Sequence, residues 1–563
     1  MGADTPFSYR SRTDALVAMS GDSVDLLVIG GGITGAGIAR DAALRGIRTA
    51  LVDMGDWGSA TSSHSSRLIH GGLRYLEQGD LHLVFEATHE RRVLLRAAPH
   101  LVRPLPFLFP VYRGARVPAW KLRAGMWLYD ALAAFRNVHL HKWLGTNDVA
   151  RLEPRLRTRG LRGAALYYDA QVDDARLVLA TVRAAAQAGA LVANYADATS
   201  LLKSDGRVRG AVVRDALTER IHTVHALLVV NATGPWSDAM RRRDDPRAVP
   251  LLRLTRGAHV AVKRARIGHT HAVTLASPID GRIMFVLPWG DLSYIGTTDT
   301  DDAGAPADVR ATGADVIYLL RSANALFPEA RLTARDVVST WAGVRALLAP
   351  ERERSASRVS REHRLAEAAS GLITIAGGKL TTYRLMAREV VDRVARRLHE
   401  LDGRPQPQRA ATAHMPLPGG EAADLDVLVH SLEQRHVPEG QARHLVACYG
   451  SEAAAVRNLA ERDRALDEPL LTNRPEVWAQ IVYAVEREMA VRLADVLIRR
   501  LHLFYEDPAH GSSISTPVAD RMAELLGWDA ARRDREIAEY TAEVKRARAF
   551  LRETPRASKE TAP

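Results

Sequence analysis

The residues with the clearest chemical purpose stand near the start of the chain. The apolar run Leu26 to Ile29 ends on Gly30-x-Gly32-x-x-Gly35, and a small-residue helix pattern follows. A second apolar run, Thr49 to Val52, ends on Asp53, about eighteen residues beyond Gly35. A strand, a glycine turn, a helix and a strand ending on an acid form the context of a dinucleotide site. Gly30 permits the tight turn, Gly32 lets backbone N–H groups approach a pyrophosphate, and Gly35 lets helix and strand pack closely. The helix N-terminus adds partial positive charge, and Asp53 can accept from a ribose hydroxyl. An ordinary βαβ turn is the plainer alternative, and the loop alone does not choose the nucleotide.

Two later segments carry the same kind of signal. Ala226-Leu-Leu-Val-Val-Asn-Ala232-Thr233-Gly234 is a buried parallel-strand pattern ending in a small-residue turn. Paired with the glycine loop, it shifts the nucleotide from NAD toward FAD. Thr374-Ile-Ala-Gly-Gly378-Lys379-Leu380-Thr381 places a Gly-Gly turn at a helix N-terminus. Backbone N–H groups there would stabilise an anionic reduced flavin. A phosphate-binding turn or a plain helix cap would use the same residues.

These segments demand elements to hold them. The pattern predicts an α/β fold: a discontinuous FAD-binding Rossmann-like domain, an inserted β-rich substrate domain and a C-terminal α-helical domain. Residues 1–23 read as a flexible arm. The FAD-binding domain is expected from 24–100, 166–245 and 336–402, and the substrate (cap) domain from 101–165 and 246–335. Proline and glycine mark 403–420 as a linker, 421–550 reads as helices only, and 551–563 is a tail. Asp173-Asp174 is expected to cap a helix running to Ala188.

With Ala60-Thr61-Ser62-Ser-His-Ser-Ser66-Arg67-Leu68-Ile-His70-Gly71-Gly-Leu-Arg74-Tyr75 added, the chain resembles the FAD-dependent glycerol-3-phosphate dehydrogenases of the D-amino-acid oxidase-like superfamily. Further matches are Val172-Asp-Asp-Ala-Arg-Leu177, Asn231-Ala-Thr-Gly-Pro-Trp236, Arg256-Gly-Ala-His259, Ile295-Gly-Thr-Thr298-Asp299 and Trp341-Ala-Gly-Val-Arg345. Asp53 stands where Glu is common, and Arg67 where Lys is common. The resemblance implies FAD as cofactor, with Thr34, Thr61, Ser62, Ser66, Arg67, Leu68, His70, Gly71, Gly378, Lys379, Leu380 and Thr381 beside it. It implies sn-glycerol 3-phosphate as substrate, with Arg74, Tyr75, Thr298, Arg345 and Arg361 around it and His259 as base. Lys379 is left with two roles, a hydrogen bond to the flavin or polarisation of the substrate oxygen. Arginine suits a phosphate dianion because its planar fork binds two oxygens at once. Histidine suits proton abstraction near neutral pH.

The resemblance also implies a quinone acceptor, ubiquinone or menaquinone, and peripheral contact with the inner face of the cell membrane from the cytoplasm. Pro118-Ala-Trp-Lys-Leu-Arg-Ala-Gly-Met-Trp-Leu-Tyr-Asp-Ala-Leu132 is aromatic, basic and apolar enough to lie in a membrane interface, or to pack as an ordinary amphipathic helix. The formal net charge of +11 suits an anionic lipid or a phosphorylated substrate. The single cysteine, Cys448, excludes an internal disulfide and a multi-cysteine cluster. No metal site and no nucleic-acid partner are expected, no run is long enough to span a bilayer, and Arg10, Arg12 and Asp14 interrupt any signal-peptide core. The alternatives kept open are a glycerol-phosphate oxidase reducing oxygen, or another oxidase of the superfamily; the short Arg345–Gly377 interval argues against the former. A homodimer is one option for assembly.

Overall fold

The computed structural model describes residues 7–77, 79–301, 304–349 and 363–553. Two sheets organise it. In the first, the strands run in the order His363–Glu367, Ile373–Gly377, Ile221–Asn231, Val24–Ile29, Thr49–Val52 and Leu191–Ala193. Along this path all neighbours are parallel except the His363–Glu367 edge, and off it Arg207–Asp215 pairs antiparallel with Ile221–Asn231 and with Ala196–Ser204. Leu26, Leu27 and Val28 are fully buried, as a central parallel strand covered on both faces requires.

Register brings the chemistry together. Ile29 lies beside both Val52 and Asn231, and Asn231 lies beside Thr374. Gly30, Asp53 and Ala232 therefore leave the sheet at its carboxyl edge, with the Gly377-Gly378 turn alongside. Ligands of open α/β sheets bind in that crevice.

The second sheet has ten strands. It carries Leu252–Lys263 and Val337–Leu348 paired antiparallel along their length, with Leu292–Gly296 on the other side of Leu252–Lys263. Val102–Tyr112 and Leu161–Val172 form its other long pair, and Leu68–Ile69 extends it from within the serine-rich segment. The expected boundaries at 166 and 336 therefore shift: Leu161–Val172 and Val337–Leu348 belong to this sheet. An apolar strand pattern reports burial but not which sheet buries it.

Asp173 does cap a helix, Asp174–Gln187, by accepting from the Arg176 amide. The region beyond the linker is helical, from Leu425–Glu433 to Ala530–Ala547.

The expected flexible arm is instead a helix, Tyr9–Gly21. It buries Ala15, Leu16 and Met19, and buried Arg12 donates to Asp215 at 2.5 Å and to the Asn194 carbonyl at 2.8 Å. No sequence signal marks this role for Arg12, because its partner lies 203 residues away.

A second buried network ties the helical region to the nucleotide unit. Asp56 accepts from Arg499 Nε at 2.6 Å and from Arg500 Nη1 at 2.6 Å. Breaking such a network by removing one partner costs about 3–5 kcal/mol, because the remaining charges stay buried. Asp56→Asn is expected to lower unfolding free energy by that order in denaturant titration. A change within experimental error would mean that water already compensates these arginines.

Candidate active site

A cavity of about 640 Å³ opens at the carboxyl edge of the first sheet and continues under the second. Gly30 enters it with φ +111°, and a Cβ there would meet the Ala232 carbonyl oxygen at 2.5 Å. A Cβ on Gly35 would meet the Gly30 carbonyl oxygen at 1.8 Å, so Gly35 serves helix–strand packing and does not line the cavity. Helix Ile33–Leu44 points its N-terminus into the cavity, and the Ile33 amide donates to Ser62 Oγ at 3.1 Å. Asp53 accepts from the Gly31 and Gly55 amides at 2.5 and 2.8 Å. Burial outweighs these bonds and pushes its carboxyl up to about 6. An acid at a strand end, a side-chain-free turn and a helix N-terminus fit the ribose and pyrophosphate of a dinucleotide. At the far end, Gly377 and Gly378 take φ +77° and +93° and turn the chain beneath the second sheet.

The other end of the cavity is built by the second sheet. His259 sits on Leu252–Lys263 between Gly296 and Trp341 on the flanking strands. Its ring stacks on Trp341, 5.0 Å between centroids and 8° from parallel. A Cβ on Gly296 would meet His259 Cδ2 at 2.1 Å, so the ring lies directly over that glycine. Ser66 Oγ lies 2.9 Å from Nε2. Burial first, then the positive charges of Arg345 and Arg67, hold this imidazole well below its ordinary range. It is neutral at physiological pH.

Arg345 reaches the cavity from Val337–Leu348. Its guanidinium lies 3.2 Å from Asp299 Oδ1 and donates to Thr297 Oγ1 and the Thr298 carbonyl at 3.1 and 3.3 Å. Asp299, with its side chain 2% exposed, also pairs with Arg282 at 3.1 Å. Across the cavity, Lys379 Nζ lies 3.5 Å from the centre of the Tyr75 ring.

Most residues singled out from sequence line this cavity: Gly30, Gly32, Thr34, Asp53, Thr61, Ser62, Ser66, Leu68, His70, Tyr75, Ala232, Thr233, Gly234, His259, Arg345, Gly378, Lys379, Leu380 and Thr381. Others are placed elsewhere. Arg67, expected at the cofactor, has a left-handed backbone (φ +53°) and a buried guanidinium among Trp289, Tyr294, Trp341 and Tyr505. The Gly71 amide is taken by Tyr129 Oη and Asp169. The Thr298 hydroxyl accepts from the Ala258 amide at 2.9 Å, so it shapes the strand that carries His259. Arg74 sits in the short helix Leu73–Glu77, and Arg361 lies outside the described residues.

Sequence reasoning missed Phe504, Tyr505 and Arg546, which line the same cavity from the helical region. None belongs to a motif, and no local signal marks them. His64, in the serine-rich run, also lines the cavity, with its Nε2 3.4 Å from Tyr505 Oη. Among the described residues no group of His, Cys, Asp and Glu is placed to hold a metal ion, and no helix is long and apolar enough to cross a membrane.

A dinucleotide cradle joined to a second sheet that roofs the cavity defines a flavin-dependent oxidoreductase. Residues 25–384 match the family described as FAD dependent oxidoreductase, and 410–533 match the C-terminal domain of alpha-glycerophosphate oxidase. Glycerol-3-phosphate dehydrogenase 2 of Mycobacterium tuberculosis (strain ATCC 25618 / H37Rv) is 39% identical over 548 residues, spanning 95% of this chain and 90% of that protein. Aerobic glycerol-3-phosphate dehydrogenase of Staphylococcus haemolyticus (strain JCSC1435) is 35% identical over 537 residues, spanning 93% and 94%. The crystal structure of the glycerol-3-phosphate dehydrogenase from Bacillus halodurans complexed with FAD superposes with a TM-score of 0.82 at 34% identity, covering 97% of this chain and 99% of that one. The chain belongs to the FAD-dependent glycerol-3-phosphate dehydrogenase family.

Proposed function

We propose that the protein oxidises sn-glycerol 3-phosphate to dihydroxyacetone phosphate and passes the electrons to a membrane quinone. The observation that carries the reading is the pairing of a buried, neutral histidine with a cavity-facing arginine at the flavin end of the cradle. Bound FAD supplies a hydride acceptor at its N5 position.

The chain's own residues do the rest. Arg345 holds the substrate phosphate, with Arg74, Tyr75 and Arg361 as the further phosphate ligands of this reading. His259 takes the hydroxyl proton at a ring nitrogen, while Ser66 and the Trp341 face hold the ring in place. Lys379 sits where its charge favours oxygen lone pairs of substrate or flavin. Trp341, Phe504 and Tyr505, which line the cavity, keep water from the reacting carbon.

A peripheral membrane position on the inner face would give access to a lipid-soluble acceptor. Helix Ala119–Leu132 supports it: Leu122, Met126 and Tyr129 are buried, while Trp120 and Trp127 are 72% and 61% exposed. Leu128, Phe135, Val138 and Leu140 are exposed nearby, with Lys121 and Arg123 on the same helix. Clustered exposed apolar side chains mark an interaction surface, and basic neighbours favour anionic lipid. Replacing Trp120 and Trp127 together by Ser is expected to weaken partition onto anionic vesicles roughly tenfold or more, since each buried large apolar side chain contributes about 1.5–3 kcal/mol. Flotation with unchanged partition would remove this helix from the membrane contact.

The main reading is tested by anaerobic bleaching of the bound flavin. Glycerol 3-phosphate should bleach it, while glycerol and amino acids should not. Bleaching by an amino acid, or none by glycerol 3-phosphate, overturns the substrate. Stoichiometric hydrogen peroxide in air with no quinone reduction overturns the acceptor in favour of an oxidase.

A further inference from the structure

A second cavity, of about 450 Å³, is lined by the start of strand Val337–Leu348 and by residues of the end of the helical region. Lys263, Arg335 and Arg548 line it, and none of the three forms an ion pair among the described residues. Arg266 also lines it, but its charge is shared with Asp336 at 3.1 Å. Val337, Val338, Pro508, Phe550 and Leu551 supply an apolar wall. His510 is the buried polar group of the cavity. Its Nδ1 is held at 2.7 Å by the Phe504 carbonyl, and Asp507, the nearby acid, is taken up by the Gly511 amide at 2.8 Å. The cradle residues account for none of these side chains.

Three exposed cations that form no ion pair among the described residues line one concave surface, where Asp336 is the carboxylate and is held by Arg266, and an anion placed among the three balances their charge. A bare anion leaves the apolar wall wetted, whereas an anion carrying a hydrocarbon segment covers it. The volume falls within the roughly 300–1,000 Å³ range of small-ligand cavities.

We propose that this cavity is a binding site for an amphiphilic anion, of the alkyl phosphate or long-chain carboxylate class. The headgroup lies among Lys263, Arg335 and Arg548, and the chain lies along Val338, Pro508 and Phe550. Short contacts link the site to the cradle. Phe504, whose carbonyl holds His510, lines the first cavity, as does Tyr505. Ser339 donates to the Tyr505 carbonyl at 2.6 Å from the same strand that carries Trp341 and Arg345.

The test is calorimetric titration of the FAD-loaded protein with dodecyl phosphate below its micelle concentration, beside inorganic phosphate and dodecanol. Dodecyl phosphate is expected to bind saturably and roughly tenfold or more tighter than either control. Replacing Arg335 and Arg548 together by Ala should weaken it about tenfold while flavin content and melting temperature hold. Arg345→Ala should leave the binding unchanged, which separates this cavity from the substrate site. Equal binding of inorganic phosphate or dodecanol overturns the proposal, as does full affinity in the Arg335/Arg548 variant or its loss in Arg345→Ala. A parallel arm with phosphatidylcholine vesicles doped with dodecyl phosphate distinguishes the source. Capture by the vesicles that requires Arg335 and Arg548 assigns the site to bilayer lipid, and binding of the monomer alone assigns it to a free amphiphile.

Discussion

Arg345→Ala is expected to lower kcat/KM for glycerol 3-phosphate by roughly two to three orders of magnitude while the purified protein keeps its flavin. The expectation rests on geometry. The guanidinium lines the cavity but belongs to the second sheet, away from the glycine turns and Asp53, so its loss leaves the cradle intact. Removing one side of a desolvated charged contact costs about 2–5 kcal/mol, and each 1.4 kcal/mol is tenfold. Asp299 also loses a partner but retains Arg282 at 3.1 Å, so folding should suffer less than binding. Arg345→Lys keeps the charge and loses the fork, and it should recover only part of the rate, mostly through KM. Steady-state kinetics with flavin absorbance checks both variants. A loss smaller than fivefold in Arg345→Ala would take the phosphate away from this residue.

How much of this was legible in the chain depends on where each residue's environment is encoded. Gly30, Asp53 and Ala232 could be read because each stands at the end of an apolar run, and parallel register carries such ends to one edge. Tyr75, His259 and Arg345 drew attention by chemical type and motif, but their convergence depends on a ten-stranded sheet whose pairings the motifs do not state. Arg67 shows the limit most clearly. It stands in the cofactor-like serine-rich run, yet its cage comes from Trp289, Tyr294, Trp341 and Tyr505, four residues scattered over more than two hundred positions. The same limit hid the helical region's share of the cavity. Phe504 and Tyr505 are ordinary aromatics in a short helix until the fold brings both to the cavity and sets Tyr505 against Ser339 and His64. At the N-terminus the expected flexible arm is a helix instead, and its buried tie, Arg12 to Asp215, joins residues too far apart in sequence to be read as partners.

His259→Ala is expected to slow turnover by roughly 10²–10⁴-fold, the usual range for a lost general base, with the deficit greatest at low pH. The sign follows from the direction of the shift. Burial and two arginines hold the His259 proton affinity well below 6.5, so the wild-type imidazole stays neutral through the physiological range and loses its basic form only at lower pH. In the variant, hydroxide must do the work, and its concentration rises tenfold per pH unit. The ratio of wild-type to variant rate should therefore shrink steadily from pH 6 to pH 8, and dividing the two profiles cancels titration of the substrate phosphate. The same depression has a consequence for stability. Below about pH 6.5 the unfolded chain takes up a proton that folded His259 refuses, so stability falls as pH drops from that value toward the folded one, by at most about 1.4 kcal/mol per unit for one group. His100, held down to about 3 mainly by burial, adds to the same acid-side loss and remains in the variant. His259→Ala should therefore show a shallower fall in melting temperature between pH 6.5 and pH 5 than the wild type, though not a flat one. Rate and stability thus move in separable ways. A base gives a pH-dependent rate deficit that added imidazole partly rescues, whereas a ring that only fills the space between Trp341 and Gly296 gives the same deficit at every pH and no rescue. A uniform, unrescued loss would move the proton to another acceptor and leave His259 as the spacer that holds Trp341 over the cavity.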